Sequence, residues 1–285
     1  MSAGAARATG IAGAAKRGLF GAAVLFYLAF ALFPLFWLLK VSVTPGDLLY
    51  SEGVRMWPSR TTWENYGFVL TASDFPLFFR NSLIVSGATA VIATLCAAAA
   101  GYAFSRFRFR GKLALTALLL TTQMFPLVML IAPIFRLMVP LGLTDSLLGL
   151  VVVYVAFNVP FATFLMQSFF DGIPKDREEA AMIDGNTRFG AFVRIVLPLT
   201  LPGIAATLGF VFTAAWSELL FALMLVSKTE ATTFPIGLLG FVSKFSVDFG
   251  QVMAAGVLAR IPACLFFAFI QRYLVRGLTA GAVKG

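Results

Sequence analysis

The sequence predicts an all-α integral membrane protein of about six transmembrane helices. Three observations carry that prediction. Apolar residues make up 60% of the 285 positions and charged residues 12%, against roughly 45–50% and about 25% in soluble domains. Six uncharged or nearly uncharged stretches of spanning length punctuate the chain. Lys and Arg gather in short segments beside those stretches rather than along one face, which is the pattern of membrane orientation signals.

The six stretches run near residues 18–39, 83–104, 113–135, 146–170, 199–226 and 250–271. The first four hold no charge, the fifth holds Glu218 and the sixth Arg260. The first follows Lys16 and Arg17 in the manner of a signal peptide. Its apolar length exceeds the 7–15 residues of a signal h-region, so it reads as a retained span.

Composition also excludes several function classes. His is absent, and Cys96 and Cys264 lie apart inside apolar runs. That leaves no zinc ligand set, no His general base and no disulfide framework. The net charge of +9 is spread as orientation signals and does not mark a nucleic-acid surface.

With the N-terminus placed inside, fourteen Lys and Arg fall on the cytoplasmic side, including the cluster Arg106, Arg108, Arg110 and Lys112, and seven fall outside. This asymmetry predicts a multi-pass membrane protein with both termini cytoplasmic. The organisation that follows is a cytoplasmic segment 1–17, a transmembrane domain 18–275 and a cytoplasmic tail 276–285. Two connections are long. Residues 43–79, with Trp57, Trp63 and Tyr66, read as an outer interfacial cap, and residues 171–198 form the most polar stretch of the chain. Pro126, Pro133, Pro160 and Pro262 fall within spans and predict kinks.

Intramembrane charges mark functional positions by default. Glu218 and Arg260 lie at similar depths, which predicts that they pair or share an aqueous cavity. Trp216, Ser217, Tyr154 and Asn158 complete a candidate solute path. An aromatic face suits the C–H side of a sugar ring, and amide and hydroxyl groups suit its rim.

The inner connection is the most informative. After Pro174, the segment Lys175 to Asp184 predicts a short helix with acids early and Gly185 at its end. Ala180, Ala181, Met182 and Ile183 give it an apolar patch beside a charged face. So short a helix cannot bury that patch alone and is suited to a groove on a partner. Glu179-Ala180-Ala181, three residues, Gly185, nine residues, Ile195, one residue, then Leu197-Pro198 resembles the EAA loop of ABC importer permeases at every specified position. Trp63-Glu64-Asn65-Tyr66, Asn81-Ser82-Leu83, the basic turn from Arg106 to Lys112, Gln271-Arg272-Tyr273 and the tail from Gly277 to Gly285 are similar to the MalG-like carbohydrate permeases.

The resemblance implies a type I ABC importer fold. This chain would be one permease subunit, paired with a second similar permease around a central path. Two cytoplasmic ATP-binding subunits would lie beneath, and an extracytoplasmic solute-binding protein would deliver sugar. It implies further that the EAA helix docks into a cleft of the ATPase, with Glu179 meeting a basic or polar partner. Ala180 and Ala181 would allow close approach, and Gly185 would make the turn after the helix. Asp184, Ile195, Leu197 and Pro198 would belong to the same ATPase-coupling loop, and residues 277–285 would be a second contact. The chain has no Walker A sequence, so no cofactor is expected in it, and ATP and Mg are expected on the partner. Where relatives usually read Trp-Asn, this chain has Trp216-Ser217, with a shorter hydrogen-bonding reach. The rival among membrane functions is a secondary transporter, which commonly carries several buried acids, His or repeat-related broken helices. A membrane-embedded enzyme would need a nucleophile–base pair or metal cluster that this sequence does not offer.

Overall fold

A computed structural model describes residues 3–241 and 248–282, with side chains placed for 16–241 and 248–271. Helices occur in the order α1 Ala3–Ser42, α2 Gly46–Ser51, α3 Glu64–Gly67, α4 Phe75–Arg106, α5 Lys112–Met124, α6 Leu127–Met138 and α7 Leu147–Asp171. They continue with α8 Asp176–Ile183, α9 Arg188–Ala191, α10 Leu197–Leu199, α11 Leu201–Trp216, α12 Leu220–Leu225, α13 Phe234–Gly240 and α14 Phe249–Ala282. The described residues include no strand. Four helices, α1, α4, α7 and α14, are long and apolar enough to cross a membrane singly, and two bent pairs bring the number to as many as six. The all-α class and the six apolar segments therefore stand as the sequence predicted.

Two of the expected spans are not continuous. The third breaks by 102° between α5 and α6. Pro126 causes this break, because proline pushes the residue before it out of the α region. Phe125 accordingly sits at φ −73°, ψ 130°, and Pro126 itself is extended. The fifth span, expected over 199–226, begins with a 73° bend at Thr200, between Pro198 and Pro202. The Thr200 hydroxyl donates to the Val196 and Leu197 carbonyls, at 2.9 and 3.0 Å, which also accept from the Thr200 N–H at 3.0 and 3.2 Å, a side-chain back-bond of the kind that bends helices. The same span ends at Trp216, and Ser217–Leu219 separate it from the short α12. Pro133, Pro160 and Pro262 are instead accommodated inside α6, α7 and α14. Near Pro160 the Thr163 hydroxyl donates to the Val159 carbonyl at 2.7 Å.

The chain divides into two compact units, Met1–Ala72 with Phe241–Leu258, and Ser73–Gly240 with Ala259–Gly285. In the first, the connection after α1 is tied back onto it. Asn65 donates through Nδ2 to the Ser42 and Thr44 carbonyls at 3.0 and 3.1 Å, and Tyr66 shares a 2.7 Å hydrogen bond with Ser42. The Trp-Glu-Asn-Tyr sequence therefore anchors the connection, with Asn65 buried and Trp63 exposed.

In the second unit α4 packs chiefly against α7 and α11. Small residues line this contact, as helix association in lipid requires because there is no hydrophobic drive to press large side chains together. A Cβ on Gly101 would lie 2.8 Å from the Gln167 nitrogen and 2.9 Å from the Met166 Cβ. Ala93, Ala97 and Thr163 are fully buried nearby in the same pair of helices. At the start of α4, Asn81 donates to the Glu230 and Thr232 carbonyls at 2.8 and 2.9 Å, and the Ser82 hydroxyl accepts from the Phe234 N–H at 2.8 Å. The Asn-Ser-Leu sequence thus pins α4 to the connection leading into α13. Leu19, Leu113 and Leu265 stand outward at 73%, 83% and 66% exposure, which a bilayer accommodates and water would not.

Candidate functional site: the coupling loop and an intramembrane cavity

The polar connection folds as the sequence predicts. Helix α8 starts after Pro174 and carries Asp176, Glu178 and Glu179 in its first turn, where acids complement the helix dipole. It ends in a Schellman motif. The Gly185 N–H donates to the Met182 carbonyl at 3.2 Å and the Asn186 N–H to the Ala181 carbonyl at 3.0 Å. Gly185 takes φ +88° there, a conformation that disfavours any Cβ. Thr187 then caps α9, its hydroxyl accepting from the Gly190 N–H at 3.0 Å. The chain passes through a π-helical segment Phe192–Val196 into α10.

The two adjacent glutamates of α8 face different ways. Glu179 is exposed, together with Ala180 and Ile183, the last at 86%. Asp184 and Gly185 are exposed too, whereas Ala181 is buried beneath them. Of the remaining motif positions, Ile195 and Leu197 are half-buried and Pro198 is exposed. Phe189, on α9, is 75% exposed and lengthens the apolar patch beyond what the sequence reading included.

Glu178 points inward, and the sequence reading missed it. Its carboxylate makes an ion pair with Arg106 Nε at the end of α4, with side chains 8% and 6% exposed. Tyr102 Oη donates to Glu178 Oε2 at 2.8 Å. Arg106 Nη2 donates to the Ile173 carbonyl at 2.9 Å, and Nη1 donates to Ser105 Oγ at 3.0 Å. The Tyr102 ring lies 4.3 Å from that of Phe192 and 5.7 Å, edge on, from that of Phe170. The coupling helix is therefore latched to α4 by a buried, hydrogen-bonded charge pair enclosed by aromatics. Arg106 counted in the sequence as an orientation signal and as the start of the basic turn Arg106 to Lys112.

Within the spans, a cavity of about 260 Å³ opens between the α5–α6 elbow, α7 and the α11–α12 break. Tyr154, Asn158 and Glu218 line it, together with Gln123, Phe157 and Phe221. Glu218 occupies the break after α11, and its two oxygens accept the Phe221 and Ala222 N–H groups at 3.0 and 3.2 Å. Asn158 Nδ2 donates to the Tyr154 carbonyl at 2.8 Å, and the Phe157 and Phe221 rings stack at 4.7 Å. Tyr154 is 2% exposed, and its hydroxyl lies beside Glu218 without a hydrogen bond of good geometry.

The other candidate path residues are placed differently. The Glu218–Arg260 pairing does not form: among the described residues no ion pair includes either group, and Arg260 is exposed. The broken helix supplies N–H groups to Glu218 locally, so the carboxylate needs no distant cation. Trp216 is not a solute platform. It is 4% exposed, stacks with Phe212, packs against Phe79 and Phe234, and donates from Nε1 to the Ala259 carbonyl at 3.1 Å. Ser217 is exposed outside the cavity lining, with its hydroxyl donating to the Thr213 carbonyl at 2.8 Å. The side chains of the tail from residue 276 lie outside the described residues.

Comparison with known proteins agrees with this arrangement. The family described as binding-protein-dependent transport system inner membrane component matches residues 90–280. Over 258 residues the chain is 36% identical to the trehalose transport system permease protein SugB of Mycobacterium tuberculosis, covering 90% of this chain and 93% of that one. It is 35% identical to the trehalose/maltose transport system permease protein MalG of Thermococcus litoralis, covering 89% and 92%. Its identity to the diacetylchitobiose uptake system permease protein DasC of Streptomyces coelicolor is 34%, covering 95% and 100%. Among solved structures, a chain of a bacterial ABC transporter involved in import of the acidic polysaccharide alginate shares the fold. Its TM-score is 0.74 and its identity 23%, over 96% of this chain and 99% of that one. With matching motifs, fold and relatives, the chain belongs to the family of binding-protein-dependent transport system inner membrane components.

Proposed function

We propose that this chain is a membrane-spanning permease subunit of an ATP-driven sugar importer. It contributes half of the translocation path and couples to a separate ATPase through α8. The observation that carries the reading is a short helix whose outer face presents Glu179, Ala180 and Ile183 to solvent while its inner face is latched through Glu178. A helix built this way receives force on one side and passes it to α4 on the other. The sugar class is supported by relatives named for trehalose, maltose and diacetylchitobiose transport.

The assembly comprises a second similar permease, two ATP-binding subunits that hold ATP and Mg, and a solute-binding protein outside. Both termini and the α8 loop face the cytoplasm, as the positive-inside asymmetry argues. Residues 1–17 and 276–285 flank the transmembrane domain on that side. ATP-driven closure of the ATPase pair moves α8 as a rigid body, and the latch carries that motion into α4, giving alternating access.

The experiment is a mild-detergent purification of tagged chain from its native host, with and without Glu179→Ala combined with Gly185→Pro. An ATPase and a second permease should accompany the native chain and be lost from the variant. Recovery of the chain alone, or of a self-oligomer indifferent to the substitutions, would favour a secondary transporter instead.

A further inference from the structure

We propose that the cavity bounded by α5–α6, α7 and α12 is a solute subsite that takes an uncharged or cationic hydroxyl-bearing ring and rejects an anionic one. This rests on the importer reading above and narrows its substrate class.

The cavity's polar groups are biased toward acceptors. Each Glu218 oxygen spends one lone pair on a backbone N–H, which leaves further acceptor capacity on both. Asn158 commits a donor to the Tyr154 carbonyl, and Gln123 commits one to the Phe157 carbonyl at 3.4 Å. The carbonyl oxygen and the second N–H of each amide stay free of such bonds, so the surplus of acceptors comes from Glu218. An acceptor-rich site recognises a solute that brings O–H or N–H donors. The stacked Phe157 and Phe221 rings add an apolar face for the C–H side of a sugar ring.

The buried Tyr154 hydroxyl is the second indication. It lies beside Glu218, close enough to interact with the carboxylate but without a hydrogen bond of good geometry. A buried hydroxyl without a well-formed hydrogen bond is costly and favours a better partner. A solute hydroxyl bridging Tyr154 and Glu218 would satisfy both.

Charge then selects among solutes. Glu218 is the charged group of the lining, and no Lys or Arg lines the cavity among the described residues. A uronate or phosphate entering would meet a carboxylate without a compensating cation, which the low dielectric of the spans penalises. The volume of about 260 Å³ is below the roughly 300–1,000 Å³ of a complete ligand pocket. That suits a half-site holding one ring of a solute shared with the companion permease.

The test uses the intact complex of both permeases and the ATPase, purified in detergent. Ligand-observed NMR would titrate it with maltotriose and diacetylchitobiose as neutral probes and trigalacturonate as the anionic probe. A neutral probe should bind at least about 10-fold more tightly than trigalacturonate. Tyr154→Phe should weaken neutral binding by about 2- to 10-fold, the range of one hydrogen bond. Glu218→Gln keeps a cap acceptor for α12 and should shrink the charge preference below about 3-fold. Gln123→Lys, at an exposed position that leaves the cap untouched, should raise trigalacturonate binding. Equal binding of neutral and anionic probes, no binding of any probe, or a preference unchanged in both charge variants would overturn the subsite. ATP-dependent uptake into proteoliposomes with the binding protein separates the two readings. Uptake without the charge preference overturns the subsite alone. An active ATPase that drives no saccharide uptake overturns the sugar-importer reading and the subsite with it.

Discussion

Removing the Glu178 carboxylate tests the mechanical reading most directly. The side chains of Glu178 and Arg106 are 8% and 6% exposed, so solvent screens their attraction little. In Glu178→Ala the guanidinium would stay buried with only the Ile173 carbonyl and Ser105 hydroxyl as acceptors. Breaking a buried pair from one side costs about 3–5 kcal/mol. At roughly 2–4 °C per kcal/mol for a chain of this size class, the loss is about 6–20 °C. Tyr102→Phe removes one hydrogen bond to a charged acceptor and should cost less, about 1.5–3 kcal/mol. Replacing both Arg106 and Glu178 by Met leaves no orphaned charge and should recover most of the deficit. The assay is the temperature at which the monodisperse size-exclusion peak of the detergent-solubilised complex is lost. Such unfolding is irreversible, so the ranking of variants is the readout. The outer face of α8 is untouched by Glu178→Ala, so the ATPase should still dock and hydrolyse ATP while uptake falls. A single variant within about 2 °C of the native chain, with uptake still tied to hydrolysis, would refute the latch.

Three further outcomes follow from the structure. Gly101→Ala should destabilise by about 1–3 kcal/mol through overpacking against Met166 and Gln167, read in the same thermal assay, with Gly87→Ala, which meets open space, as the neutral control. Gly185→Ala should cost about 1–2 kcal/mol at φ +88° and reduce ATPase recovery on purification, and Gly185→Asn should be milder because Asn tolerates that region. The third concerns Asp145, whose carboxyl is held below its ordinary value of 3.8 by the backbone N–H groups of Ser227 and then Lys228. Because the folded value is the lower one, this clamp contributes fully above pH 3.8 and is lost as pH falls through the lowered value. Asp145→Asn keeps an acceptor that does not titrate over this range, so the thermal difference between native and variant should shrink as pH drops from 7 toward 3; a difference independent of pH would contradict the clamp.

The helices were legible because each apolar run is long and uncharged, a signal that needs no knowledge of neighbours. The coupling loop was legible for a related reason. Pro174 at its start, acids in its first turn and Gly185 at its end act within a single helix. Proline was a poorer guide. Pro126 produces an elbow of 102°, whereas Pro133, Pro160 and Pro262 remain inside helices. Sequence alone does not say which proline finds carbonyl partners and neighbours that keep the helix continuous.

The functional errors share one physical origin. Glu178 and Glu179 are consecutive in α8, about 100° apart around the helix axis at 3.6 residues per turn, and nothing local decides which faces inward. Arg106, 72 positions away, decides it. Glu218 differs in the opposite sense. Its depth in the span suggests a distant cation, yet its own segment supplies its partners. An acid three residues before the first free N–H groups of α12 is an N-terminal cap pattern, and that pattern was readable once the break after Trp216 was known. Both cases separate the two jobs an ionised group can do in a membrane protein. Glu178 is fully engaged by side chains on another helix, so it transmits position. Glu218 is only partly engaged, by its own backbone, and keeps acceptor capacity facing a cavity whose tyrosine hydroxyl lacks a well-formed hydrogen bond. Unspent hydrogen-bonding capacity, more than charge itself, separates a site that waits for a solute from one that holds the fold.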